Sequence, residues 1–328
     1  MRFLALLFLA NAFAATTAVA EPVRIANIGH GYYAGALYVA VEEKLFEKYG
    51  LEPDITVVQS GPLVLQSLLT KQVDVGVVSY EHVLSAAVQG QRVVSFYNVA
   101  IRPLNNLVVD AAMAAGSDKL SLDEKIGRLK GKRVGLPSAN GSGEKMLKLL
   151  ASRHGLTLPG DISTIYLGGE PASYVAAFRR GIIDAALPVE PAGVMVQKAG
   201  TGSIYINVLA GDVPEFRDVL FMTLSAHPDT MRDRPGLLRK VAQVFSEANR
   251  ILLDPGRGKA LMARMYPDMD AETNDKAYAA LSQVWPDNGR ITDAQVQASF
   301  DYLQPEGPQK VNLSTTYTND FLPAQDAK

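Results

Sequence analysis

Lys132-Arg-Val-Gly-Leu-Pro-Ser-Ala-Asn-Gly-Ser-Gly-Glu-Lys-Met-Leu147 changes character twice within sixteen residues. Lys132 to Leu136 is a short β-type run, and Pro137 ends it because proline has no N–H for a sheet ladder. Ser138, Ala139, Asn140, Gly141, Ser142 and Gly143 form a small polar loop. From Glu144 to Arg153 apolar side chains recur at helical spacing, with Met146, Leu147, Leu149 and Leu150 available for one buried face. Strand, polar loop and helix in this order are the unit of an α/β sheet. The first N–H groups of such a helix have no intrahelical acceptor and lie at the positive end of its dipole, which suits an anionic or carbonyl-bearing ligand. The same residues equally suit a plain cap, with Ser or Asn accepting from the first turn.

The rhythm extends in both directions. Upstream, Val23–Ile28 reads as a strand, followed by the aromatic loop His30-Gly-Tyr-Tyr-Ala-Gly35 and a helix over Ala36–Lys48 that Gly50 closes. Leu51–Val58 is a second strand, Ser60-Gly-Pro62 a turn into a helix, and Val73–Val78 an almost continuous apolar run of the kind covered on both faces. Ser79-Tyr-Glu-His82 opens the next helix, and Val93–Ala100 and Leu107–Val109 supply further strands. Ser121-Leu-Asp-Glu124 is a capping box. Downstream, the strand Ile162–Leu167, the loop Gly168-Gly-Glu-Pro171, a helix and the strand Ile182–Leu187 repeat the pattern, closed by Pro188-Val-Glu-Pro191. Gln66–Val77 and Val175–Leu187 echo each other, each a helix end, a polar corner, an Asp and an apolar strand. Val219–Leu224 reads as a strand returning to the first sheet, and helices dominate from Pro228 to Leu303.

Composition bounds the class. Arg2 precedes an apolar run, and Ala18-Val-Ala20 offers a small-residue cleavage site, the layout of an export signal removed before Glu21. Loss of Arg2 takes the formal charge from −2 to −3, which gives no footing for nucleic acid. With zero cysteines there is no disulfide, thiolate metal site, cysteine nucleophile or lipid-bearing cysteine. A mature chain of about 308 residues exceeds one ordinary core, so two lobes are expected. The expected boundaries are a signal peptide over 1–20, lobe 1 over 21–110, lobe 2 over 111–212, a return to lobe 1 with C-terminal helices over 213–305, and a polar tail over 306–328.

Ligands of open α/β sheets sit beyond the carboxyl ends of the strands. The loops at 29–35, 60–62, 79–82, 138–143, 168–170 and 188–191 all follow strands, so two facing lobes bring them to one cleft. Leu37-Tyr-Val-Ala40 with Leu45-Phe46 and Tyr49-Gly-Leu51, Lys71-Gln-Val-Asp-Val-Gly76, Leu129–Gly135, Ser142 at a helix start, Arg180-Gly-Ile-Ile-Asp-Ala185 and Val189-Glu-Pro191 come in a particular order and spacing. In that order they resemble the periplasmic solute-binding proteins of ABC importers, in the branch for sulfonates, nitrate, taurine and thiamine precursors that is related to yeast pyrimidine-synthase proteins. The resemblance runs from about Val23 to about Asp254; Lys44 stands where that pattern has its first Gly, and Val189 where it has a tryptophan. It implies a type II two-lobed periplasmic-binding-protein fold, with each lobe a mainly parallel sheet flanked by helices and a helical C-terminal region. It also implies hinge closure around one small solute and an ABC permease in the inner membrane as partner.

The residues expected to bind the ligand are His30, Tyr32, Tyr33, Ser60, Gly61, Tyr80, Glu81, Ser138, Asn140, Gly141, Ser142, Glu170 and Glu190. Ser138, Asn140, Gly141 and Ser142 offer hydroxyl and backbone donors. Tyr32 and Tyr33 offer stacking or a hydroxyl, with one of the pair expected in the core. Glu81 and Glu190 either complement helix starts or face the cleft, where they would repel a bare dianion and favour a ligand with N–H donors. The protein is expected to be a monomer with no cofactor, no bound metal and no nucleic-acid partner. No Gly-x-Ser-x-Gly elbow or His-x-x-x-His spacing supports an enzyme. The expected function is periplasmic binding of a sulfonate, carboxylate or pyrimidine-like solute and its delivery to the importer. An enzyme on the same fold and a ligand-sensing partner of a receptor are the alternatives.

Overall fold

The computed structural model describes residues 20–29, 31–303 and 311–324. The expected signal peptide, apart from its last residue, and His30 lie outside them. Glu21–Asn27 (β1) runs parallel to Leu51–Val57 (β2) on one side and Val75–Ser79 (β3) on the other. Gly35–Glu42 (α1) and Leu45–Lys48 (α2) connect β1 to β2. One continuous helix was expected here, but Lys44 takes a left-handed φ of 53° and breaks it. Gly61–Leu69 (α3) leads to β3, and Tyr80–Val88 (α4) to Val94–Ala100 (β4). A strand from far along the chain, Met222–Ala226, inserts antiparallel between β3 and β4.

The second sheet begins with Leu107–Val109 (β5). Ala111–Ala114 (α5) and Leu122–Gly127 (α6) follow, and Ser121 and Glu124 make both bonds of the capping box. Then come Arg133–Leu136 (β6), Ser142–Ser152 (α7), Ser163–Tyr166 (β7), Pro171–Arg179 (α8), Ala185–Ala186 (β8), Ala192–Lys198 (α9) and Ser203–Ile206 (β9). With Met222–Ala226 as β10, the strand orders are β2-β1-β3-β10-β4 and β7-β6-β8-β5-β9. The two sheets match position for position, and in each the fourth strand is the antiparallel one. The chain changes sheet between Ala100 and Leu107, so β5 lies in the second sheet, ahead of the boundary expected at 110.

The sequence echo is therefore a structural equivalence. Asp74 accepts from Arg24 N, Nε and Nη2 at 2.9, 3.1 and 2.8 Å, and Asp184 accepts from Arg133 N, Nε and Nη2 at 2.8, 3.0 and 2.7 Å. Each Asp N–H donates back to the matching arginine carbonyl at 2.9 Å. The corners before them turn at Lys71 (φ 57°) and Gly181 (φ 62°). These clamps tie the strands together near their amino ends and leave the carboxyl ends clear.

The C-terminal helices are Pro228–Asp233 (α10), Pro235–Leu253 (α11), Pro255–Met265 (α12), Ala271–Leu281 (α13) and Asp293–Leu303 (α14). Along α11, Leu238, Val241, Phe245, Ala248 and Leu252 recur at three- and four-residue spacing and are buried in the core over the first sheet. Burial of one such Leu or Phe contributes roughly 1.5–3 kcal/mol. The described part of the polar tail returns to the first sheet. Ser95 N donates to Thr316 O and Thr318 N to Ser95 O, which covers the β4 edge, and Phe321 packs edge-on to Phe96 with 5.9 Å between ring centroids.

Candidate ligand-binding cleft

A cavity of about 250 Å³ lies between the carboxyl ends of the two sheets. Every one of the six strand-end loops contributes to its wall: Gly29 and Tyr33, Ser60 and Gly61, Ser79 and His82, Ser138 with Gly141 and Ser142, Gly168 through Pro171, and Val189 with Pro191. Phe221 and Met222, where the chain re-enters the first sheet, complete it.

The helix starts define its chemistry. α3, α4, α7 and α8 each begin at this wall, and no side chain caps any of them. For α7 the capping residue is Gly141 rather than Ser or Asn. Asn140 adopts a left-handed φ of 56° and points its N–H at Glu144 Oε2, 2.7 Å away. Glu144 also meets Lys148 Nζ at 2.6 Å and Tyr166 Oη at 3.2 Å. Burial opposes ionisation of Glu144, but the lysine, the Asn140 N–H and the tyrosine outweigh it and hold the carboxyl below its usual range. The acid side chain of the first turn is thus turned back on the loop, and the first N–H groups of α7 are left for a ligand. Gly143 permits this approach, since a Cβ there would lie 2.8 Å from Leu187 O.

His82 was not singled out in the sequence. As the third residue of α4 it turns to the cavity, while Tyr80 and Glu81, about 100° apart around the helix, turn elsewhere. Its ring stands over Gly61, where a Cβ would lie 2.2 Å from His82 Nε2. Burial and the Lys145 charge push its pKa down to about 3, so the imidazole is neutral near pH 7. Gln59, Phe221 and Met222 are further wall residues without a local sequence signal.

The thirteen expected residues divide. Tyr33, Ser60, Gly61, Ser138, Gly141, Ser142 and Glu170 line the cavity. Tyr32 is buried in the core, its hydroxyl 3.4 Å from Met269 Sδ and its ring edge-on to Tyr266. Tyr80 is buried with its hydroxyl 2.5 Å from Thr316 Oγ1. Asn140 shapes the loop through its backbone and is not among the lining residues. Glu81 lines a separate, smaller cavity with Tyr302, and burial raises its carboxyl while Lys145 partly offsets the shift. Glu190 is fully buried; it accepts from Asn106 Nδ2 at 2.9 Å and from Val194 N at 3.0 Å in the first turn of α9. Neither Glu81 nor Glu190 therefore lines the inter-sheet cavity. Glu170 is the only carboxylate among the lining residues described, and that wall carries no Lys or Arg side chain.

A family model described as NMT1/THI5 like matches residues 32–255, more than half of the chain and a span that holds most of the cavity wall. The chain belongs to the NMT1/THI5-like family. A Brucella abortus member of the curated proteins, named only as a candidate binding protein, is 27% identical over 246 residues, covering 73% of this chain and 70% of its own. A Bordetella bronchiseptica protein of known structure superposes with a TM-score of 0.80 at 22% identity, over 92% of this chain and 95% of that one. The alkanesulfonate-binding protein of Xanthomonas axonopodis, solved with MOPS bound, has a TM-score of 0.68 at 17% identity, over 91% and 98%. The NMT1/THI5-like chain thus has the fold of the periplasmic solute-binding proteins of ABC importers, as its motifs implied.

Proposed function

We propose that this chain binds a small polar organic solute in the inter-sheet cleft and delivers it, from the periplasm, to the permease of an ABC importer. The observation that carries this reading is the wall itself: uncapped helix starts from both halves, α3 and α4 from one and α7 and α8 from the other, point into one cavity. Pro62 and Pro171 lack an N–H in α3 and α8, and Tyr80 N at the start of α4 donates to Phe221 O. The start of α7 is therefore the main source of backbone donors, which favour an oxoanion or carbonyl without a formal counter-charge. Glu170, as a carboxylate acceptor, suits a ligand that also carries an N–H group. A sulfonate, carboxylate or pyrimidine-like compound with both features meets the two requirements, and about 250 Å³ limits it to a molecule below drug size.

The mechanism is hinge closure. Two segments cross between the sheets, one between β4 and β5 and one between β9 and β10. A solute that touches both halves binds the closed form better and shifts the population toward it. The closed pair of halves then presents the surface read by the permease. The protein acts as a monomer without cofactor. A thermal-shift panel of sulfonates, aromatic acids and pyrimidines tests the reading. At least one class should raise the melting temperature of the wild type and not of Ser142→Pro, which removes an α7 donor; a flat panel would sink the proposal.

A further inference from the structure

Lys145 belongs to α7, among the helices of the second sheet. Its Nζ nevertheless lies 3.2 Å from Ser85 Oγ and 3.8 Å from Glu81 Oε1, both on α4 beside the first sheet. Both partners of the ion pair are largely withdrawn from water, with side-chain exposures of 22% and 7%. The same carboxylate oxygen lies 3.6 Å from His82 Nε2. The two helices joined in this way each carry wall residues of the ligand cavity, His82 on α4 and Ser142 on α7. A buried ion pair is a poor source of general stability, because desolvation offsets most of the attraction. Its value is positional, since the contact exists only while the two halves are together.

We propose that Lys145 is a positioning residue of the cleft, whose reach to Glu81 and Ser85 holds the start of α7 against α4 so that Ser142 and His82 meet one ligand. This rests on the cleft being the solute site. Opening returns the ammonium and the carboxylate to water separately, so the contact weights the closed population. Apparent affinity scales with that population even though Lys145 is not a wall residue of the cavity.

The chain has no cysteine, so spin labels can be placed at will. Leu63→Cys on α3 and Ala172→Cys on α8 put one on each side of the cleft at exposed positions. Electron–electron resonance then reads the distance without any ligand. Lys145→Met should move the distribution to longer distances, and Lys145→Arg, which keeps charge and reach, should restore it. Coincident distributions for wild type and Lys145→Met would overturn the proposal. In a second arm, methanesulfonate, benzoate and cytosine are titrated as probes. For any that binds the wild type, Lys145→Met should raise the apparent Kd roughly tenfold while the ligand-bound distance stays that of the wild type. An unchanged Kd would also overturn it. If no probe binds the wild type, the solute-binding reading loses its support while the ligand-free distances still decide the role of Lys145.

Discussion

Glu190→Gln is the substitution with the most to say about the hinge. Glu190 is fully buried where the crossing segments meet the cleft wall. Asn106, which bonds its carboxylate, also accepts from Leu209 N in the second crossing segment, and Tyr32 N donates to Glu190 O. Burial raises the pKa from 4.5 to about 7, against the opposing bonds from Val194, Asn106 and Gly193. A shift from 4.5 to about 7 corresponds to about 3 kcal/mol between the two protonation states. The native state holds a proton between these values that the unfolded chain has released. Wild-type stability therefore falls by up to about 1.4 kcal/mol per pH unit as pH rises through that window, and the loss is complete just above pH 7. A glutamine side chain in its place has no charge to release. Its amide can accept from Asn106 or from Val194, but not from both, which costs roughly 1–3 kcal/mol at every pH. Urea unfolding of both proteins from pH 5 to pH 8 gives the difference. The variant should be the less stable at pH 5, and the difference should move by roughly 2–3 kcal/mol in its favour toward pH 8. A difference that stays constant across the range would refute the buried, proton-binding carboxyl.

Asp74→Ala and Asp184→Ala test the paired clamps. Asp74 has 5% side-chain exposure and also meets Arg234 Nη1 at 3.1 Å, whereas Asp184 has 20% and, among the described residues, pairs only with Arg133. Urea titrations should show Asp74→Ala losing about 3 kcal/mol and Asp184→Ala roughly half of that; equal losses would contradict the difference in burial. Gly61→Ala drives a Cβ into the His82 ring. Calorimetric affinity for any solute that binds the wild type should drop at least tenfold while the protein remains folded, and full affinity would remove His82 from the site. Asn140→Ala places a side chain without a stabilising local bond at a φ of 56°. Its stability should fall by about 1 kcal/mol and recover in Asn140→Gly.

Local chemistry made much of this fold legible. Pro137 ends one strand, and the pairs Val73-Asp74 and Ile183-Asp184 mark two equivalent corners. Ser121 and Glu124 close the capping box three residues apart. Such features depend on neighbours in sequence. The break at Lys44 does not follow from residue type, because positive φ is a conformation that favours glycine. β9 carries little signal, since Ser203–Ile206 is short, whereas the helix start expected beside Glu190 is that of α9, where Val194 N donates to its carboxylate. The six cleft loops followed from the strand order, but side-chain directions did not. Whether Tyr80, Glu81 or His82 faces the cavity depends on where α4 packs, and a turn of about 100° decides it. Arrival of Met222–Ala226 between β3 and β4, and of Thr316 at the edge of β4, are contacts between residues more than a hundred apart.

Native mass spectrometry of the full chain purified, without dialysis, from its own host tests the central claim most directly. The wild type should carry one small organic molecule, released on unfolding, and Ser142→Pro made in parallel should carry little or none. A wild type with only its bare mass, or a variant that keeps the same adduct at the same occupancy, would contradict solute binding at the start of α7.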